Sequence, residues 1–272
     1  MNDRWGLMSE LKVRNLELGK GKPKICVPLI AKNFEELFSE ALRLNKLDCD
    51  VIEWRADYFM YVHDKRFMKK AAYFVRYAIE DKPLIFTYRT LQEGGGQHIE
   101  IDEYLELNRS IMDTGLIDMV DLEFEMVLEK PSDILVHAKE KNVKVILSKH
   151  NNETTPDKHH MYETVKDMYQ LGGDVSKLAV TPHDLKDTLS LLEVSYDLKE
   201  EHPEIPFVMI SMGEAGQLSR MTGELFGSIM TYASNGKYLS APGQLPISIL
   251  KDGMDVVGYK RGSKKRNVQE ES

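Results

Sequence analysis

Eight short β-prone runs recur along this chain, and their spacing limits the folds open to it. They begin near Lys24, Cys49, Pro83, Asp118, Val143, Val175, Pro206 and Tyr238, at separations of 25 to 35 residues. Each interval has room for a strand, a loop, a helix and a return, the length of a parallel crossover unit. Between the runs, helical apolar spacing covers 34–42, 67–79, 101–114, 132–141, 155–171, 185–198 and 219–233. Asn33, Ser132 and Ser219 are suited to cap three of these helices. Strand-then-helix alternation argues for a parallel sheet, and eight repeats are the number that closes a barrel. A doubly wound sheet would carry a glycine-rich phosphate loop after its first strand, and none follows the run at Lys24. The expected fold is therefore α/β, a (β/α)8 TIM barrel over 24–257. A short N-terminal β-hairpin extension over 1–23 is expected before it, since residues 11–16 alternate loosely and 19–23 turn. Residues 258–272 are polar, with a basic cluster from Lys260 to Arg266, and read as a disordered, solvated tail.

A chain of 272 residues buries about three quarters of its unfolded surface, so it needs no disulfide staples. Cys26 and Cys49 have no framework spacing, which suits a reducing, cytoplasmic setting. No charged-then-apolar leader and no apolar run of membrane-spanning length is present, so no membrane partner is expected. The net charge of −8 argues against general nucleic-acid binding, yet leaves room for a locally basic site that takes an anionic small molecule. No Cys/His spacing suits zinc, and the adjacent His159 and His160 would diverge on a helix, so no metal is expected.

Lys177 interrupts the β-prone run that Pro182 closes. Lysine is rarely buried without a partner. Either Lys177 snorkels with its head in water, or it is a desolvated amine able to condense with a carbonyl. That window alone favours the first. The other runs reverse the odds, because polar residues gather at their C-terminal ends. Val51-Ile52 leads into Glu53-Trp54-Arg55-Ala56-Asp57, and Leu84-Ile85-Phe86 into Thr87-Tyr88-Arg89. Met119-Val120 leads into Asp121-Leu122-Glu123, Val145-Ile146-Leu147 into Ser148-Lys149-His150, and Val208-Met209-Ile210 into Ser211-Met212-Gly213. Residues two apart share a strand face, so these side chains would ring one barrel mouth, where this architecture holds its chemistry. Plainer readings stand beside these. Glu53 and Arg55 would be a structural ion pair, His150 a bonded loop histidine, and Glu93, ahead of three glycines, surface charge. Residues 213–220 carry two glycines before a helix start. They suit either an ordinary loop or a lid closing over an anion with Arg220 and the helix N-terminus.

These pieces, in this order, resemble the type I 3-dehydroquinate dehydratase family. They are Glu53-Trp54-Arg55-Ala56-Asp57, Phe86-Thr87-Tyr88-Arg89 with Glu93-Gly94-Gly95, Asp121-Leu122-Glu123, Ser148-Lys149-His150 and Lys177-Leu178-Ala179-Val180. Met212-Gly213-Glu214 with Ser219-Arg220, and Ser240-Ala241-Pro242-Gly243-Gln244, complete the set, and the likeness covers about 23–250. The resemblance implies a cytoplasmic, homodimeric lyase of the shikimate pathway. It would dehydrate 3-dehydroquinate to 3-dehydroshikimate by syn elimination through a lysine Schiff base, with no cofactor. It implies that Lys177 attacks the C3 ketone, while His150 assists imine formation, removes the C2 proton and protonates the departing C1 hydroxyl. Glu93 would orient His150. Arg220 would bind the substrate carboxylate with Arg89 nearby, Glu53 and Arg55 would hold ring hydroxyls, and Ser240 and Gln244 would close the opposite side. Neighbouring arginines would tune the Lys177 amine. A protonated imine is an electron sink, and histidine, with a pKa near ~6.5, serves as both base and acid.

Two departures from the family pattern stand out. Pro28 occupies a first-strand position where many relatives carry serine, and Asn151-Asn152 follows His150 where many carry Asp-Phe. A class I aldolase is a competing Schiff-base reading, but it would need a phosphate site late in the barrel. A silent barrel acting as a binding protein is another, and it would be expected to lack Lys177 or His150.

Overall fold

The computed structural model describes residues 10–130, 133–237 and 240–258. It opens with an antiparallel hairpin, β1 (Leu11–Val13) and β2 (Leu16–Leu18). Alternation then sets in: β3 (Lys24–Leu29), α1 (Phe34–Asn45), β4 (Val51–Arg55), α2 (Lys65–Ile79), β5 (Leu84–Thr87) and α3 (Ile101–Met112). Next come β6 (Met119–Glu123), α4 (Phe124–Glu129), α5 (Ile134–Glu140), β7 (Lys144–Asn151), α6 (Lys158–Leu171), β8 (Val175–Val180) and α7 (Leu185–Glu201). The last elements are β9 (Phe207–Ser211), α8 (Gln217–Met221), α9 (Gly223–Phe226), β10 (Met230–Ser234), β11 (Leu245–Pro246) and α10 (Ile247–Val257).

Strands β3 to β9 are parallel and each pairs with the next in sequence, while β10 pairs in parallel with β3 and leaves a seam against β9. No strand-order reversal interrupts this series, so the fold is the (β/α)8 barrel and not a doubly wound sheet. The seam between β9 and β10 is narrow. Ile229 donates its N–H to the Phe207 carbonyl at 3.0 Å, and Met209 donates to Ser228 Oγ at 3.0 Å.

Both faces of the strands are buried, which is why their sequences read as apolar runs with little alternation. Outward-facing Val27, Leu29, Ile52, Trp54 and Phe86 pack under the helices. Inward-facing Cys26, Val51, Ile85, Met119, Ile146 and Val175 fill the barrel near the strand N-termini, and Val13 and Leu18 of the hairpin join that cluster. The hairpin therefore stoppers the N-terminal end. Arg14 in its turn donates to Asp118 at 2.6 Å, just ahead of β6. The C-terminal mouth is left open for a site.

The eighth repeat departs from the sequence expectation. In place of one helix over 219–233, the chain forms two short helices and then the eighth strand, Met230–Ser234. Gly227 at φ 95° ends α9, and the apolar residues that mimic helical spacing are a strand buried on both sides. The strand expected near Tyr238 is thus this earlier one, and Tyr238 itself lies outside the described residues. Asn33 caps α1, accepting the Glu36 N–H at 3.0 Å. Ser219 is no cap: it sits inside α8, where its Oγ accepts from the Ser211 N–H at 3.0 Å. Ser132, residues 1–9 of the expected extension and 259–272 of the expected tail lie outside the described residues. Among the described residues no helix is long and apolar enough to cross a membrane.

Candidate active site

Parallel register sets the strand-end side chains at matching heights. Arg55 lies beside Thr87, Thr87 beside Asp121, Glu123 beside Ser148, and Ser148 beside Lys177. Of these, Arg55 and Lys177 reach a cavity of about 210 Å³ at the mouth. Glu53, Arg55, Arg89, Glu93, His150, Lys177, Arg220, Ser240 and Gln244 all line it, alongside Asn152, Met212 and Tyr232.

Lys177 is 3% exposed, so it does not snorkel. Its Nζ lies 2.9 Å from Asp121 Oδ2, 3.6 Å from Glu53 Oε1 and 4.5 Å from the centroid of the Tyr232 ring. The amine's immediate partners are therefore two carboxylates and an aromatic face, not the arginines expected from sequence. Glu53 is itself fixed by the Thr87 hydroxyl at 3.1 Å.

Arg55 does not pair with Glu53. Its Nε and Nη2 each donate at 2.8 Å to the two oxygens of Asp57, a bidentate fit. Arg89 is the hub. Its Nη1 donates to Glu93 and Glu123 at 3.1 Å and to Ser148 Oγ at 2.9 Å, and its Nη2 to Asp121 at 2.7 Å. Burial opposes ionisation of Asp121, yet Arg89 and Lys177 hold its carboxyl well below the usual range.

Glu93 Oε2 accepts from the His150 backbone N–H at 3.1 Å and lies 2.8 Å from His150 Nδ1. With Nδ1 donating there, Nε2 keeps its lone pair. Burial, together with the Arg89 and Lys177 charges, pushes the imidazole pKa well below its ordinary value, so the ring is neutral at neutral pH. Burial also pushes the Glu93 carboxyl up, against the pull of Arg89.

Arg220 is 1% exposed and has no carboxylate within ion-pair reach among the described residues. Its Nη2 donates to the Pro242 carbonyl at 3.0 Å, its Nε has no partner among the described residues, and burial lowers its pKa to about 10. A buried cation without an anion is costly, and a ligand carboxylate would relieve that cost. Beside it, Ser240 and Gln244 are tied together, Gln244 Nε2 donating to Ser240 Oγ at 2.8 Å. The 213–220 segment meets this loop. Gly213 donates to the Pro242 carbonyl at 3.2 Å, and a Cβ on Gly243 (φ 76°) would fall 2.2 Å from the Gly213 carbonyl oxygen. Only glycine fits there.

At the two departures, the Pro28 carbonyl accepts from Asn235 Nδ2 at 2.9 Å. Asn151 Oδ1 accepts from the N–H groups of Glu153 and Thr154, turning the chain after His150. Sequence reasoning gave no site role to Asp57, Ser148 or Tyr232, nor to Asp121 and Glu123 beyond their motif. Asp57, Ser148, Asp121 and Glu123 carried a usable signal, their place at or just past strand ends. Tyr232 lay within the stretch read as helix.

The sequence profile of the family described as type I 3-dehydroquinase matches residues 25–260. The 3-dehydroquinate dehydratase of Clostridium novyi (strain NT) is 38% identical over 250 residues, covering 92% of this chain and 98% of that one. The solved type I 3-dehydroquinate dehydratase of Clostridium difficile matches with a TM-score of 0.87 at 38% identity, over 93% of this chain and 98% of its own. The 3-dehydroquinate dehydratase of Geobacillus kaustophilus HTA426 gives 0.87 at 31% identity with the same coverage. A profile that spans the barrel, and relatives matched along almost their whole length, establish that this chain belongs to the type I 3-dehydroquinase family.

Proposed function

We propose that this chain dehydrates 3-dehydroquinate to 3-dehydroshikimate through a Schiff base on Lys177, with the barrel over 24–257 as its catalytic domain. The setting proposed is the shikimate pathway, in the cytoplasm, as a homodimer. One observation carries the reading. A buried lysine shares a cavity with a neutral imidazole and with a guanidinium that has no carboxylate partner among the described residues.

Arg220 receives the substrate carboxylate, with Arg89 in the adjoining wall. Glu53 and Arg55 hold ring hydroxyls, and Ser240 and Gln244 close the other side. Lys177 passes one ammonium proton to His150 and attacks C3 as the free amine; the ketone oxygen leaves as water, carrying that proton and one more from the nitrogen, and a protonated imine remains with its N–H directed to Asp121. His150 Nε2 then takes a proton from C2, and the electron pair flows to the imine nitrogen, giving a neutral enamine. Collapse of the enamine expels the C1 hydroxyl, which takes the same proton back from His150 and leaves as water. Base and acid are one group on one face of the ring, so the elimination is syn. Glu93 fixes the tautomer that leaves Nε2 free for both transfers. Water finally hydrolyses the imine and frees Lys177. No cofactor enters these steps. The Clostridium difficile relative was solved with covalent modified comenic acid, which supports reading such a site as one that forms covalent adducts.

Borohydride in the presence of 3-dehydroquinate is expected to leave a reduced adduct on the Lys177 peptide by mass spectrometry. Intact protein with no added mass on that peptide would refute the Schiff base.

A further inference from the structure

Tyr232 has no part in the reaction as drawn, yet it touches the reacting nitrogen. It sits on β10 beside Cys26 of β3 and is 4% exposed. The Lys177 Nζ lies 4.5 Å from its ring centroid, within the distance at which an aromatic face attracts a cation. Its hydroxyl has no hydrogen-bond partner among the described residues.

We infer that Tyr232 is a positioning residue whose ring face supports the positive charge of the Lys177 nitrogen through the imine stage. This rests on the Schiff-base reading. The resting ammonium has three N–H groups, facing Asp121 at 2.9 Å and Glu53 at 3.6 Å. Condensation of that ammonium with a ketone expels water, built from the ketone oxygen and two of those hydrogens, and leaves one N–H on a nitrogen that keeps its charge. That N–H can serve Asp121 but no longer both carboxylates. A π face needs no hydrogen on its partner, so it is the contact that survives the change. It also holds the nitrogen toward the cavity while the N–H set is being lost.

The test compares Tyr232→Leu, Tyr232→Phe, and a series with 4-fluoro-, 3,5-difluoro- and 3,4,5-trifluorophenylalanine at 232. The fluorinated rings keep the shape while draining charge from the face. Borohydride trapping on Lys177 at saturating 3-dehydroquinate, normalised to folded protein, is read together with kcat and KM. Tyr232→Leu is expected to lower trapping and kcat about tenfold, within what a desolvated cation–π contact supplies, with KM little changed. Tyr232→Phe is expected to rescue both, and each added fluorine to lower them stepwise. A flat fluorine series with the wild type fully trapped would overturn the inference, even if the leucine variant fails to fold. An untrapped wild type would instead overturn the Schiff-base reading, and this inference with it.

Discussion

Replacing Arg89 with methionine tests how the site is held together. The substitution keeps an unbranched apolar stem but removes a guanidinium that serves Glu93, Glu123, Asp121 and Ser148. Removing one partner of a buried ion pair costs about 3–5 kcal/mol, because a buried charge is left uncompensated. Here one cation serves three carboxyl groups, so the upper part of that range applies, about 4–5 kcal/mol. At about 2–4 °C per kcal/mol for a chain near this size, the thermal midpoint should fall by roughly 8–20 °C. Arg89→Lys should recover little of this, since one ammonium cannot meet four acceptors laid out for a planar fork.

The loss carries a pH signature with a definite sign. In the wild type the Asp121 carboxyl is depressed by Arg89, so its contribution is present above the unfolded value near ~3.9 and lost as pH falls through the folded one. Without Arg89, the buried carboxyls take up protons in the folded state at higher pH. The folded variant then binds more protons than its unfolded chain, and its stability rises as pH is lowered from 7.5 toward 5. The gap between variant and wild type should therefore be widest at pH 7.5 and narrower at pH 5. Urea unfolding of both proteins at the two pH values reads it directly. A gap under about 1 kcal/mol at pH 7.5, or one of equal size at both, would refute the shared-cation account.

Two further substitutions probe the reaction. His150→Ala should lower kcat by about 10²–10⁴ while 3-dehydroquinate still binds by calorimetry, and unchanged turnover would remove its acid–base role. Arg220→Met should raise KM roughly 10- to 100-fold, the worth of a charged hydrogen-bonded contact, without lowering the thermal midpoint, because the cation it removes has no carboxylate partner among the described residues. An unaltered KM would count against the carboxylate clamp.

The parallel strands and the ring of polar strand ends were legible because they depend on local periodicity, and Glu53, Arg55, Asp121, Glu123, Ser148 and His150 obey it. The pairings were not. Strand alternation places Glu53 and Arg55 on one face, but only the loop path after β4 brings Asp57 back to clasp Arg55. Lys177 on β8 meets Asp121 on β6 and Glu53 on β4, contacts set by barrel curvature and not by sequence spacing. The eighth repeat escaped because Met230–Ser234, buried on both faces, has no polar alternation to separate strand from helix. With it went Tyr232, whose place above Lys177 follows only from that strand's position.

Net charge is a poor guide to what this cavity accepts, and the ion pairs show why. The chain carries −8 overall, yet Asp57 is spent on Arg55, while Asp121, Glu123 and Glu93 gather on Arg89 and Glu53 on Lys177. Among the described residues Arg220 is the site cation without a carboxylate partner, so on the proposed reaction it is the one that takes the substrate's anion. The same accounting bears on the base. In the free protein, burial and the charges of Arg89, Lys177 and Arg55 all oppose an imidazolium at His150. On the proposed reaction a bound carboxylate brings a negative charge into the same low-dielectric cavity, which favours the positive charge His150 acquires when it takes the C2 proton. The substrate's own charge would then strengthen the base that acts on it, and an analogue lacking the carboxylate should lose turnover as well as affinity.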